Sequence, residues 1–226
     1  MKKTTQNITF TASKSSGKVS GTAIIPEKAR LFLVLAHGAG ADMHHSFMET
    51  FADYLADEQI GTLRYNFPYT ENNKKRPDFA PVLMETVRSA VKSVHDFSGS
   101  LPVFAGGKSM GGRMTSMAAS KEPLENVKGI VFIGFPLHPP GKPSTERSEH
   151  LFSVGVPMLF LQGTRDKLAE PELLNPVIQK LGTRASLHLI DGADHSFHML
   201  KSSGRTDNEI LRELAAKVGD WASARS

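Results

Sequence analysis

Gly107-Lys108-Ser109-Met110-Gly111 sets a serine between two glycines at the spacing of a nucleophile turn. Serine is a poor nucleophile at neutral pH. It needs a base to take its proton and an acid to orient that base. An apolar run precedes the motif and a helical pattern follows it, so Ser109 falls on a strand-to-helix turn. The glycines two before and two after it let strand and helix pass close together. The helix N-terminus then points free N–H groups and a partial positive charge at the site. An oxyanion forming beside Ser109 would be stabilised by the Met110 N–H. The same five letters also occur where a serine only caps a helix. Placement after a buried strand, with Gly106 and Gly112 flanking the motif, favours the nucleophile.

The base must be a histidine that a loop can bring over Ser109. The chain has nine histidines, and His138, His150, His188, His195 and His198 follow the serine. His188 falls inside a strand pattern and His150 inside a polar helical stretch. His195 lies just past the last strand, in Asp191-Gly192-Ala193-Asp194-His195-Ser196-Phe197, where a loop can fold back. It is preferred, with His198 as competitor. The acid should end the preceding strand. Gln162-Gly163-Thr164-Arg165-Asp166 holds Asp166 on a tight turn there, from which its carboxylate could accept the His195 Nδ1–H. Asp191 and Asp194 remain alternatives, although sequence adjacency to His195 makes their reach awkward.

A second oxyanion donor is expected from the loop after the third strand, His37-Gly38-Ala39-Gly40-Ala41, with the Ala39 N–H preferred and Gly40 beside it. Gly40, Phe67, Tyr69 and His138 are candidate pocket residues. For the aromatics of Tyr65-Asn66-Phe67-Pro68-Tyr69, packing under a loop is an equal reading. Asp42, His44 and His45 invite a metal reading, but adjacent histidines rarely converge on one ion and the chemistry above needs none. No metal or cofactor is expected. Lys108 and Arg113 flank the motif; they are read as solvated, with an anionic substrate as the alternative.

The elements that must hold these residues alternate. Residues 8–12 and 18–25 alternate polar and apolar side chains around Ser15-Ser16-Gly17, which predicts an antiparallel hairpin. Continuous apolar runs follow at 31–36, 61–67, 102–105, 129–133, 158–161 and 185–190, as expected of strands buried on both faces. Helical patterns lie between them at 46–58, 81–97, 109–119, 171–181 and 207–222. The fold class is therefore α/β: a mostly parallel sheet of about eight strands with helices on both faces. Ligands bind such sheets at the C-terminal ends of the strands, where all the candidates above fall.

The 226 residues suit one domain spanning 1–226, and 39% apolar with 22% charged residues is ordinary for a globular chain. Cysteine is absent, so there is neither a disulfide nor a thiolate nucleophile. The net charge of +4 comes from scattered residues, Lys74-Lys75-Arg76 being the one tight cluster. That argues against a nucleic-acid partner. The apolar runs are far shorter than the roughly 20 residues of a membrane span. Polar Thr4-Thr5-Gln6-Asn7 follows Met1-Lys2-Lys3 where a signal peptide would turn apolar, so the expected location is the cytoplasm. Residues 134–157 begin Gly134-Phe135-Pro136-Leu137-His138-Pro139-Pro140 and leave room for one short helix, not a lid.

His37-Gly38-Ala39-Gly40, the turn around Ser109, Gly163-Thr164-Arg165-Asp166 and Gly192-Ala193-Asp194-His195-Ser196-Phe197 occur in family order over nearly the whole chain. With these pieces the chain resembles the α/β-hydrolase superfamily, most closely its small dienelactone-hydrolase-like branch. The resemblance implies Ser109 as nucleophile, Asp166 as acid, His195 as base, and donors at Ala39 and Met110. One departure stands: dienelactone hydrolases use a cysteine nucleophile. The expected activity is hydrolysis of a small carboxylic ester through an acyl-enzyme. Thioesterase and amidase activities share the machinery, and a non-catalytic interaction protein on the same fold is the rival.

Overall fold

The computed structural model describes residues 2–225. Eight strands form one sheet: β1 (Lys3–Ser13), β2 (Gly17–Pro26), β3 (Leu31–Ala36), β4 (Ile60–Tyr65), β5 (Val103–Lys108), β6 (Val127–Ile133), β7 (Met158–Gly163) and β8 (Ala185–Ile190). Their order is β1-β2-β4-β3-β5-β6-β7-β8. The β1–β2 hairpin is antiparallel and joins β4 antiparallel; β4, β3 and β5 to β8 run parallel. This is the expected mixed sheet with its N-terminal hairpin.

Burial explains the continuous apolar runs. Every residue of β3, β4 and β7 is buried, because helices cover both faces. The helices are α1 (Ser46–Asp57), α2 (Pro68–Glu71), α3 (Ala80–Ser98), α4 (Met110–Lys121), α5 (Pro171–Leu181) and α6 (Asp207–Ser223). One core gathers Val87 and Val91 of α3, Met114 of α4 and Leu174 of α5 against Phe32, Phe132 and Phe160. The other gathers Phe51 and Leu55 of α1 with Leu214 and Trp221 of α6 against Leu33, Phe104 and Leu159. Trp221 meets Phe104 edge-on at 5.6 Å. The start of α6 is a capping box, in which Thr206 Oγ1 accepts the Glu209 N–H and Glu209 answers the Thr206 N–H.

Several strands run past their expected limits, and β4 stops at Tyr65 rather than residue 67; two of the extensions matter to the site. β5 continues through Gly106 and Gly107 to Lys108, and β7 through Gln162 to Gly163. Glycine disfavours strands locally, but pairing with β3 and β6 holds Gly106 and Gly107 in register. The connection from β6 to β7 holds only a 3-10 helix, Glu146–Ser153, and no lid. Among the described residues, no helix is long and apolar enough to cross a membrane.

Candidate active site

Ser109 sits between β5 and α4 with φ +50 and ψ −114, a conformation L residues avoid. Its N–H donates to Ile133 O at 3.0 Å, which ties the turn to β6. The glycine spacing has a direct steric cause. A Cβ on Gly107 would lie 2.3 Å from Ala36 O, and one on Gly111 2.4 Å from the same oxygen. Only hydrogen at both positions lets the turn close over β3.

The chain then returns to this point twice. β7 ends in the turn that carries Asp166, and β8 ends in the loop that carries His195. His195 Nε2 lies 2.9 Å from Ser109 Oγ, and His195 Nδ1 lies 2.6 Å from Asp166 Oδ2. Asp166 is buried and cannot donate as a carboxylate, so Nδ1 carries a proton and Nε2 faces the hydroxyl as acceptor. Such a chain can take the serine proton and offset the imidazolium charge that results. The two loops touch: a Cβ on Gly163 would lie 2.3 Å from Ala193 O. Phe197, buried at φ +62, pins the far side of the loop that carries His195 in the core.

Asp166 is held by more than His195. Its Oδ1 accepts the Leu168 N–H at 2.8 Å, and Gln162 Nε2 donates to Oδ2. Gln162 Oε1 in turn accepts the Phe135 N–H at 2.9 Å. The expectation above did not single out Gln162. Its signal was available: one amide at the end of an otherwise apolar strand, Met158-Leu159-Phe160-Leu161-Gln162, where burial demands partners.

The competing residues go elsewhere. His198 is exposed and pairs with Asp207 at 2.7 Å. His188 pairs with Glu213, and His150 meets Ser116. Asp191 accepts from Thr164, and Asp194 accepts the N–H groups of Ser196 and His198. His44 contacts Glu49 at 2.9 Å, and Asp42 accepts the His44 N–H.

The loop after β3 is braced by His37. The Phe67 N–H can only donate, so His37 Nε2 accepts it at 3.2 Å, and Nδ1 donates to Gly38 O at 2.8 Å. Complete burial pushes the His37 pKa down, which keeps the ring neutral in that tautomer. Phe67 and Tyr69 pack edge-on against this ring at 5.0 and 5.9 Å. The Ala39 and Met110 N–H groups have no hydrogen-bond acceptor among the described residues.

Two lobes of open space meet at Ser109, Ala39 and Leu168. The first, about 370 Å³, is walled by Phe47, Met48, Lys108 and His195. The second, about 320 Å³, runs past Met110 and Met114 toward Arg113 and Arg147. Of the four sequence-based pocket residues, none lines either lobe. Phe67 is buried beneath the His37 loop, so packing is the reading that applies to it. Tyr69 and Gly40 border a separate cleft. His138 is buried against Glu170 at 2.5 Å. The actual walls come from the start of α1 and from the 3-10 helix, whose approach to Ser109 is set by packing between distant segments.

Lys108 is half-buried rather than solvated as expected. Its Nζ donates to His195 O at 2.7 Å and lies 5.8 Å from the ring centres of both Phe47 and Phe197. Burial pushes its pKa from 10.5 down to about 8, with Asp166 and Asp194 opposing the drop. The unfolded chain thus keeps this proton up to pH 10.5 and the folded chain only to about 8. Below that window the fold bears the cost of a desolvated charge. Across it, the unfolded state binds more protons and stability rises with pH. Wild type should therefore gain stability relative to Lys108→Met between pH 8 and 10.5. Urea unfolding of both proteins at the two ends of the window checks this; a pH-independent difference would contradict it.

A family model described as an alpha/beta hydrolase domain matches residues 29–223. The solved structures similar to this chain include a dienelactone hydrolase from Anabaena variabilis ATCC 29413, with TM-score 0.76 and 20% identity over 100% of this chain and 99% of that one. An alpha-beta serine hydrolase homologue from Coxiella burnetii gives 0.75 and 18% over 94% and 96%. XC6422 from Xanthomonas campestris, described as a serine hydrolase without lid, gives 0.74 and 18% over 96% and 94%. Among curated proteins, the chain is 28% identical over 209 residues to "Putative phosphoribosyl transferase MT0597" of Mycobacterium tuberculosis (strain CDC 1551 / Oshkosh), covering 90% of this chain. It spans only 43% of that relative's length.

Proposed function

Because the chain belongs to the alpha/beta hydrolase family, whose model covers residues 29–223, we propose that it is a serine hydrolase that cleaves small carboxylic esters through an acyl-enzyme. One observation carries the reading: Ser109, His195 and Asp166 form a continuous hydrogen-bonded chain at 2.9 and 2.6 Å, although 86 and 29 residues separate its links in sequence.

In the first half-reaction, Ser109 Oγ attacks the ester carbonyl carbon while His195 Nε2 takes the hydroxyl proton. The carbonyl oxygen becomes an oxyanion facing the Ala39 and Met110 N–H groups. Each such donor is worth on the order of 3 kcal/mol in the transition state. Collapse expels the alcohol, which takes the proton back from Nε2, and leaves Ser109 acylated. Water then repeats the sequence and frees the acid. The lobes, about 370 and 320 Å³, suit small groups, and the absence of a lid leaves them reachable from solvent. The phosphoribosyl transferase name belongs to a protein more than twice as long as the matched part, and the site described here offers no reason to carry it over.

A fluorophosphonate probe should label the folded protein once, on Ser109, with the label found on the peptide that contains it. Folded protein that takes up no label would favour the interaction-protein reading.

A further inference from the structure

The second lobe at Ser109 holds two arginines that form no ion pair among the described residues. Arg113 projects from α4 and Arg147 from the 3-10 helix, and both line this lobe with Ser109. The arginine ion pairs among the described residues are those of Arg64, Arg88, Arg205 and Arg212. Among the described residues the Arg113 guanidinium donates only to the Met117 sulfur, at 3.8 Å, and its buried Nε has no partner. Burial pushes the Arg113 pKa down, and the charge of Arg147 adds to the drop. One carboxylate, Asp78, also lines the lobe, and its buried Oδ2 is likewise without a partner. Two positive groups against one negative leave a single unbalanced positive charge. Unpaired guanidinium groups at a cavity wall cost the fold stability, and a bound anion would offset that cost.

The position of His195 decides which part of a substrate lies there. The leaving alcohol must receive its proton from Nε2, so it occupies the lobe that His195 lines, the first. The acyl group then extends into the second, which His195 does not line. We infer that this lobe is an acyl subsite for esters whose acid part carries a second, terminal carboxylate, held by Arg113 and Arg147. A monoanion matches the net charge of the lobe, and a planar carboxylate matches the fork of a guanidinium. The inference rests on the hydrolase reading above and narrows its substrate class to half-esters of dicarboxylic acids.

The test compares monomethyl adipate with its neutral isostere, in which a primary amide replaces the free carboxylate, and follows methanol release. Monomethyl succinate and glutarate scan the chain length. Wild type should favour the acid over the amide by about tenfold or more in kcat/KM, mostly through KM. Arg147→Gln should bring the ratio close to one, and Arg147→Lys should keep part of it. An ester carrying its carboxylate on the alcohol side, butanoyloxyacetate, should show no such preference. Direct binding gives a readout free of turnover: calorimetry should detect monomethyl adipate on Ser109→Ala, and the heat should vanish when Arg147→Gln is added. Equal rates for acid and amide at every chain length overturn the subsite while leaving the hydrolase reading intact. A preference that survives in both Arg147→Gln and Arg113→Gln overturns the residue assignment. No turnover of any ester, with no fluorophosphonate label, sinks the hydrolase reading instead, and the calorimetry then decides the subsite alone.

Discussion

Ser109→Ala is expected to lower kcat for p-nitrophenyl acetate and butyrate by about a millionfold, with KM little changed. Ser109 Oγ is the hydroxyl bonded to His195 Nε2, and Ser196, which also lines the first lobe, has no such bond among the described residues. Lys108 faces the backbone of the base loop, and no cysteine exists to take over. The substitution should leave the turn as strained as before, because the φ of +50 at this position strains any residue with a Cβ and alanine keeps one. Loss of activity should therefore come with an unfolding temperature close to that of wild type. A residual rate within a hundredfold of wild type would mean that the acyl group is not carried on Ser109.

Asp166→Asn should cost about ten-thousandfold in kcat and leave the fold in place. The reason is a tautomer. An amide nitrogen at this position would donate to His195 Nδ1, which drives the ring proton to Nε2, and a protonated Nε2 cannot accept from Ser109. The amide oxygen could still accept the Leu168 N–H that Asp166 holds at 2.8 Å, so the turn keeps one anchor while the bond from Gln162 Nε2 to Oδ2 is lost. Asp194→Asn is the control, because Asp194 caps the N–H groups of Ser196 and His198 and does not touch the imidazole. It should lose less than about tenfold, within what a surface-loop change costs. Initial rates with thermal unfolding for each variant separate the two aspartates. Near-normal turnover in Asp166→Asn would move the acid role to Asp191 or Asp194.

Much of this arrangement was legible from residue order. The glycine spacing around Ser109 has steric meaning before any coordinates exist, and the strand pattern at 185–190 ends where the base loop must begin. The Asp166 turn could be placed because a buried parallel strand delivers its C-terminal residue to one edge. What stayed hidden depends on contacts between segments far apart in sequence. Phe47 and Met48 wall the first lobe because α1 packs against the loop that carries His195, in the same core, and no periodicity within 46–58 says which end of that helix approaches Ser109. Arg147 reads as one charge in a polar stretch until the 3-10 helix is laid beside α4. Phe67 and Tyr69 had the right composition for a pocket wall, but the burial demand of His37 drew them under its loop. Local preference alone ends these two strands at residues 105 and 161, where glycine and glutamine interrupt the apolar runs, whereas neighbouring backbones carry them on to Lys108 and Gly163.

The close approach of Gly163 to Ala193 O, 2.3 Å from where a Cβ would stand, makes two segments of the site a single mechanical unit. Any methyl group at residue 163 wedges against backbone, and the only part able to yield is the segment that presents the imidazole. A shift of about 1 Å there is enough to cost a hundredfold in rate, with every reacting group still present. The hydrogen-bonded chain of Ser109, His195 and Asp166 is therefore gauged by a hydrogen atom on a residue that is no member of it.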